Sequence, residues 1–278
     1  MVNIGYRLAR LQGKITRSLY QKQMRRIIRR PIQQEKRIEV AIYSLSCPRD
    51  LPEQIASICS FLNYAGIPEQ FTVISDGYSD RECQLLKSIH PCIIVISLSE
   101  FTRGLPQKVY EYAAINPMGK KLAAILSIPC DRVSIYTDSD ILFFPQAKEL
   151  ESLIQTADPH SYYLPDIDPA FDLRILQESE RENPINGGFI IFKKKVNWDF
   201  AMERFLNLQE PPNYFTEQTM MHLTLHREKS KPLPKDRYIM SRDDEFIFRD
   251  RYATEKTVLR HYVTPVRHKF WCNPQYLV

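Results

Sequence analysis

The stretch SIYTDSDILFF, residues 134–144, sets two aspartates one residue apart inside an apolar run. Aspartate is a poor strand former and is costly to bury without a partner. Asp138-Ser139-Asp140 therefore reads as a strand end where the chain meets solvent, turns, or binds a cation. Its surroundings bear on that choice. Upstream, EVAIYSLS (residues 39–46) opens a series of short Val- and Ile-rich runs separated by helical stretches. Strands are expected at residues 40–45, 71–75, 92–98, 133–137 and 188–192, and helices at 51–64, 80–89, 120–127, 146–157 and 198–208. This alternation predicts an α/β chain with a largely parallel sheet covered on both faces. Ligands of such open sheets sit beyond the carboxyl ends of the strands. Two chemically suggestive stretches fall at such ends, Ser75-Asp76-Gly77 after the second expected strand and Asp138-Ser139-Asp140 after the fourth.

With 278 residues, 44% hydrophobic and 26% charged, the chain can bury one substantial core or two small ones. No run approaches the roughly 18 consecutive apolar residues of a membrane span, and the N-terminus lacks the apolar segment of a secretory signal, so a cytoplasmic location is expected. The six cysteines form no CxxC pair and sit mostly in apolar segments, which argues for reduced, buried thiols and against a zinc site or a disulfide frame.

The net charge of +5 hides an asymmetry. Residues 1–37 hold eleven Lys or Arg and one acid, Glu35, for a local net of +10, whereas the remaining 27 bases and 32 acids leave the body at −5. Two regions follow: a basic arm over residues 1–37, ending in a polar linker at 31–36, and a body over 38–278. Within the arm, Ile4, Leu8, Leu11, Ile15 and Leu19 recur at helical spacing and fall within an arc of about 80° at 100° per residue. Arg7, Arg10, Lys14 and Arg17 fall on the flank roughly opposite. That is the profile of an interfacial helix on an anionic membrane surface, here the inner face. Three other uses stay open: the stripe docks on the body, the bases bind nucleic-acid phosphates, or the arm is a transit peptide. Phosphate binding would not need the stripe, and a transit peptide would be richer in serine. Gly5 and Gly13 weaken an isolated helix by about 1 kcal/mol each.

A sheet whose second strand runs into VISDGYSD (73–80) and whose fourth runs into IYTDSDILFF (135–144) resembles the GT-A-type glycosyltransferases. The resemblance covers residues 40–271, and its pieces stand in family order. These are the Asp-Gly turn, the Lys-bearing GKKLAAIL (119–126), the Asp-x-Asp, NGGFIIF (186–192), EQT (217–219) and the late HYVTPVRHKFW (261–271). The order is nearest to the glycogenin-like branch, with its Asn-Ala-Gly and its terminal His-x-x-Gly-x-x-Lys-Pro-Trp. Gly187 stands here in place of that alanine, and Thr264 where the glycine should be.

The resemblance implies a GT-A fold, with a mixed, mostly parallel sheet flanked by helices, and a hexosyltransferase-type activity on a nucleotide sugar, by analogy a UDP-sugar. The acceptor would be a glycan or a lipid-linked, membrane-proximal group. A leaving nucleoside diphosphate carries several negative charges, which a divalent cation stabilises as the glycosidic bond breaks. Asp138 and Asp140 would bind that cation, with His261, or alternatively His268, as an imidazole ligand that tilts preference toward Mn²⁺ over Mg²⁺. Asp138 would also face the donor diphosphate. Lys121, or Lys120 in the neighbouring register, would reach the diphosphate or sugar, and Asp76 would lie against the nucleoside. Asn186, Gly187 and Gly188, which contain the chain's one Gly-Gly pair, would allow close backbone approach to the sugar, or mark a β-bulge. Asn186 and Glu217 are the candidate catalytic residues. Glu217 would touch the sugar or act as base, or else be a first-turn glutamate favoured by the helix dipole.

Three rival functions compete for the same residues. A nucleotidyltransferase would show a Gly-rich loop after its first strand, where this chain has SLSCPRDLP. A haloacid-dehalogenase-like phosphatase, using Asp138, Asp140 and Asp243-Asp244, would carry its Asp-x-Asp on the first strand. A membrane or RNA adaptor on an inactive core would not need Asp138, Asp140, Asn186 and His261 together.

Overall fold

The computed structural model describes residues 3–32, 34–168 and 170–277. Met1, Val2 and Gln33, which belong to the expected arm and linker, lie outside the described residues. The chain opens with helix α1 (Ile4–Ile27), then strand β1 (Arg37–Ser46), α2 (Leu51–Tyr64), β2 (Ile67–Ser75), α3 (Asp80–Lys87) and β3 (Ile93–Ser97). Three helices follow, α4 (Leu98–Phe101), α5 (Gln107–Ile115) and α6 (Pro117–Leu126), before β4 (Ser134–Thr137) and β5 (Ile141–Phe143). The remainder is α7 (Leu150–Gln155), β6 (Tyr162–Pro165), β7 (Ile185–Phe192), α8 (Asp199–Leu206), α9 (Thr216–Arg227), β8 (Lys231–Pro232), β9 (Tyr238–Ile239) and β10 (Leu259–His261).

The main sheet has the order β3-β2-β1-β4-β7-β6-β8. Its β1–β2, β2–β3, β1–β4 and β6–β8 pairs are parallel, while β7 runs antiparallel to both β4 and β6. Both faces are covered, which is why the strands read as nearly unbroken apolar runs. Val40 and Ile42 of β1 join Ile58, Phe61 and Leu62 of α2 in one core cluster, whereas Ala41 and Tyr43 join Ala124 and Ile125 of α6 in another. A second sheet, β5-β10-β9, lies beyond the carboxyl end of β4.

Every expected strand and helix of the body is present, with ends shifted by a few residues. The expected helix at 146–157 is reduced to α7, preceded by the 3-10 turn Pro145–Glu149. Proline at the head of that turn and the short apolar segment behind it favour the tighter winding.

The arm forms the expected helix, but the docked face differs from the stripe. Ala9, Gly13, Tyr20 and Ile27 are buried on the body, and Tyr20 and Ile27 enter the main core. Asn3 caps the first turn through its side chain, 3.0 Å from the Tyr6 N–H. A β-carbon on Gly13 would lie 2.4 Å from the carbonyl oxygen of His268, so this glycine allows the close approach of α1 to the 3-10 segment Thr264–Trp271. Arg17 is not on a free flank as expected. It turns to the body and forms a bidentate pair with Glu53 of α2, whose Oε1 also accepts the Trp271 indole N–H at 3.1 Å. The stripe itself, Ile4 through Leu19, faces outward. Among the described residues no helix is long and apolar enough to cross a membrane.

Candidate active site

The Asp-Ser-Asp tripeptide is the crossover between the two sheets. Asp138 follows β4, with its N–H bonded to the carbonyl of Gly188 on the neighbouring strand β7 at 2.8 Å. Asp140 precedes β5, and its carbonyl accepts the N–H of Tyr262 at 2.9 Å. Because β5 pairs antiparallel with β10 in a register that sets His261 opposite Ile141, the imidazole arrives beside the Asp140 carboxylate. His261 Nε2 lies 3.2 Å from Asp140 Oδ1 and 3.6 Å from Asp138 Oδ2. One ligand atom from each of the three residues falls within 4.8 Å of the others.

The orientation of the ring is fixed from behind. His261 Nδ1 lies 2.9 Å from Asn186 Oδ1, an oxygen that can only accept, so Nδ1 carries a proton and Nε2 is the ring atom turned toward the carboxylates. Asn186 Oδ1 also accepts the Gly188 N–H at 2.9 Å, and its Nδ2 donates to Asp166 Oδ2 at 3.2 Å. This donor set fits a hard divalent cation. Ligand atoms about 2.2 Å from an ion and at right angles to each other lie roughly 3.1 Å apart, close to the spacings from Nε2 to the two carboxylates. His268, the alternative imidazole, sits under α1 instead, edge-on to Tyr6 with ring centroids 5.4 Å apart. Burial, with help from Lys269 and Arg10, pulls its pKa down to about 4.

The two adjacent lysines of α6 part company. Lys121 is buried and donates to Asp138 Oδ2 at 2.8 Å, while Tyr136 OH donates to Oδ1 at 2.9 Å. Burial works against the Lys121 charge, but Asp138, Glu217 and Asp140 outweigh it and hold the ammonium above its ordinary value. Lys120 faces Asp76, reaching Oδ1 at 2.9 Å and Oδ2 at 2.8 Å in a half-buried pair. The register left open between the two lysines thus resolves into two separate ion pairs, with Lys121 at the Asp-x-Asp and Lys120 at the Asp-Gly turn.

Glu217, in the first turn of α9, is buried, and its Oε1 has no hydrogen-bond partner among the described residues. Burial raises its pKa, Lys121 opposes and Asp138 adds, and the balance lies at about 7. Asp140 goes the other way: burial raises it, but His261, Arg267 and Lys121 prevail and bring it to about 2.

The glycine pair lies where the pairing of β7 with β6 shifts register, Tyr163 facing Ile190 and Leu164 facing Asn186, as the bulge alternative expects. A β-carbon on Gly188 would lie 2.3 Å from Cε1 of His261, and one on Gly187 would lie 2.9 Å from Glu217 Oε1 and 3.1 Å from the Met221 sulfur. The space beside each glycine is taken by the protein's own side chains. Close approach is indeed what the pair allows, but to the imidazole and the glutamate.

Three residues were not singled out from sequence. Arg267 pairs with Asp50 at 2.8 Å and lies 3.7 Å from Asp140 Oδ2. The terminal His-x-x-Gly-x-x-Lys spacing, counted from His261, falls on Arg267 and could have found it. Asp166 gathers the amides of Asn186 and Gln218, the latter at 3.0 Å. Gln218 stands next to Glu217 in the quoted EQT, whereas nothing in the sequence around Asp166 marks it. Asp243 and Asp244, which the phosphatase alternative would use, are elsewhere. Asp243 accepts from Ser241 and Tyr252, and Asp244 forms a fully buried pair with Arg260 at 2.7 Å.

No protein-family model and no curated protein matches the chain. Solved structures do. The galactosyltransferase LgtC, in complex with donor and acceptor sugar analogues, shares 16% identity over 81% of this chain and 87% of its own, with a TM-score of 0.53. Mouse xyloside xylosyltransferase 1 shares 13% identity over 83% of this chain and 99% of its own, with a TM-score of 0.52. The glycosyltransferase GlyE of Streptococcus pneumoniae shares 11% over 86% of this chain and 60% of its own, with a TM-score of 0.53. At these identities the likeness defines the fold, which is the GT-A fold of nucleotide-sugar glycosyltransferases, and it does not single out the glycogenin-like branch.

Proposed function

We propose that the chain is a metal-dependent glycosyltransferase that moves a sugar from a nucleotide-sugar donor to a glycan or lipid-linked acceptor. The observation that carries this reading is the convergence of Asp138, Asp140 and His261 at the carboxyl end of β4, within a GT-A fold and with the buried Lys121 against Asp138. A bound Mn²⁺, or Mg²⁺ in its place, would be held by those three residues and would stabilise charge on a leaving diphosphate. Lys121 is placed to bind the same diphosphate, and Lys120 with Asp76 lines the nucleoside side, for which a UDP-sugar is our assignment. Asn186 is a positioning residue that presents His261 Nε2. Glu217 has a carboxyl poised near neutrality beside Lys121, which suits a base or a direct contact to the sugar. Gly187 and Gly188 serve the site by making room for Glu217 and His261. In this reading residues 38–278 form the catalytic region, and residues 1–37 place it peripherally on the inner face of a membrane.

The test is a panel of nucleotide sugars with Mn²⁺, following release of nucleoside diphosphate from the parent protein and from Asp140→Asn. Release with one donor, lost in the variant, is the expected result. Neither binding nor release with any donor would sink the reading.

A further inference from the structure

We propose that α1 is a preformed, body-anchored docking surface for an anionic phospholipid bilayer, and that the neighbouring loop carrying Phe246 and Phe248 belongs to the same surface. This gives the membrane position assigned above a specific face, and it stands whether or not the glycosyl-transfer reading does.

A helix that packs on a protein ordinarily hides its most apolar face. Here the opposite holds. The inward face is made of Ala9, Gly13, Tyr20 and Ile27, fastened by the Arg17–Glu53 pair at 2.6 Å and by the Tyr20 ring against Trp271, centroids 5.0 Å apart. The outward face holds five large aliphatic side chains, with Ile4 69%, Leu8 51%, Leu11 55%, Ile15 53% and Leu19 51% exposed. Isolated exposed leucines are ordinary, but a continuous stripe over four turns marks an interaction site. Beside the first turn the body adds two more exposed apolar groups, Phe246 at 58% and Phe248 at 44%. The Phe246 ring is 5.6 Å from that of Tyr6, and the Phe248 backbone N is 3.4 Å from a β-carbon built on Gly5.

Charge identifies the occupant. Residues 3–32 contain no acid. Arg7, Arg10 and Lys14 are exposed along one flank of the stripe, and Lys22 and Arg26, also exposed, continue its outward face toward the C-terminal end of the helix. On α1 itself an aliphatic band bordered by cations with no carboxylate among them matches acyl chains beneath anionic headgroups, and in the adjoining loop Asp243 and Glu245 are offset by Arg242, Arg249 and Arg251. A protein partner of ordinary composition would be met by acids interspersed with bases. Because the inward face is already seated in the core, α1 is a rigid platform rather than a tether, so the bilayer plane takes one orientation relative to the body. The Thr264–Trp271 segment, which lies against α1 at Gly13 and carries Arg267 toward Asp140, connects the two.

The test is sedimentation of the full chain with vesicles of phosphatidylcholine alone and with vesicles of phosphatidylcholine mixed with phosphatidylserine. The parent is expected to bind the acidic vesicles and to lose most of that binding in raised salt. Leu8→Glu with Leu11→Glu should lower partitioning more than about tenfold, and Lys22→Glu with Arg26→Glu should do so on acidic vesicles alone. Phe246→Ser with Phe248→Ser should weaken it several-fold. All replaced side chains are exposed, and an unchanged melting temperature certifies the fold. Binding by Leu8→Glu/Leu11→Glu equal to the parent would overturn the proposal, and an unchanged Phe246→Ser/Phe248→Ser variant would remove the loop from it. If light scattering instead shows the parent to be a dimer that the leucine pair dissolves, the stripe is a self-association face and the bilayer assignment is wrong.

Discussion

Gly188→Ala perturbs the proposed metal site while leaving every charged group in place. The added β-carbon would lie 2.3 Å from Cε1 and 2.5 Å from Nδ1 of His261, and 2.8 Å from Asn186 Oδ1. Non-bonded carbons settle near 3.5 Å or beyond, so the ring has to retreat by about 1 Å. It has little room for this. The imidazole is buried, its Nδ1 is held at 2.9 Å by Asn186, and its backbone is fixed by the pairing of β10 with β5. Any retreat breaks that hydrogen bond or changes the 3.2 Å spacing between Nε2 and Asp140. Overpacking of this kind costs about 1–3 kcal/mol of stability. Disturbing the group that orients a metal-bound imidazole lowers metal affinity by about 10- to 100-fold. Calorimetric titration of Mn²⁺ into the folded variant measures the second effect, and thermal melting without metal measures the first. Gly187→Ala is the control: its β-carbon meets Glu217 Oε1 at 2.9 Å and the Met221 sulfur at 3.1 Å, both ends of flexible side chains, so Mn²⁺ affinity should change little. A folded Gly188→Ala protein that binds Mn²⁺ as tightly as the parent would refute the placing of His261 in the metal set.

Asp140→Asn keeps the shape but removes the charge a dication needs, so Mn²⁺-dependent donor binding should be lost with the melting temperature nearly unchanged; His261→Ala should weaken Mn²⁺ in calorimetry, whereas His268→Ala should not. Lys121→Ala should raise the donor Kd by more than about tenfold, because a buried charge pair is lost, while Lys120→Ala, whose half-exposed pair is worth about 0–1 kcal/mol, should change it only a few-fold. Glu217, held at about 7, keeps its proton in the folded state at pH values where the unfolded chain has released it, so its contribution makes stability fall as pH rises from about 4.5 to 7. In denaturant titrations without metal, Glu217→Gln should gain on the parent by up to about 3 kcal/mol between pH 5 and pH 8, and an unchanged difference would contradict the raised pKa. Arg260→Ala should cost about 3–5 kcal/mol in the same titrations, since it leaves Asp244 and Asp250 buried without their guanidinium partner.

The parts of the fold that periodicity could reach are those buried on one or both faces of a long element. The expected helix at 51–64 matches α2 end to end, and β1, β2 and β3 lie where Val and Ile cluster. What stayed hidden was short or uniform. Strands β5, β9 and β10 have two or three residues each, too few for an alternation to register. Helix α9 is buried almost all round, from Thr216 to Leu225, so it has no polar face to contrast with an apolar one. The direction of β7 was not legible either, because NGGFIIF is equally apolar whether it runs parallel or antiparallel to β4. The stripe on α1 was visible, but its partner was not. The face that docks on the body is marked by Ala9, Gly13 and Tyr20, residues of small or mixed polarity that an apolar count passes over.

The site was legible to the same depth and for a related reason. Asp138 and Asp140 are one residue apart at a strand end, so both carboxylates can turn toward one cation. That much follows from spacing. The three readings of Asp-Ser-Asp turn out not to exclude one another: the tripeptide ends β4, turns the chain into the second sheet, and presents two carboxylates to one point. The imidazole that meets them comes from a strand paired with β5. That strand is β10, and the ligand follows from its register with Ile141, a long-range property that no local pattern around either histidine contains. Sequence therefore left His261 and His268 both standing. Lys120 and Lys121 were inseparable for the same kind of reason: consecutive residues on a helix point about 100° apart, and only the rotation of α6 on the sheet decides which ammonium meets Asp138 and which meets Asp76.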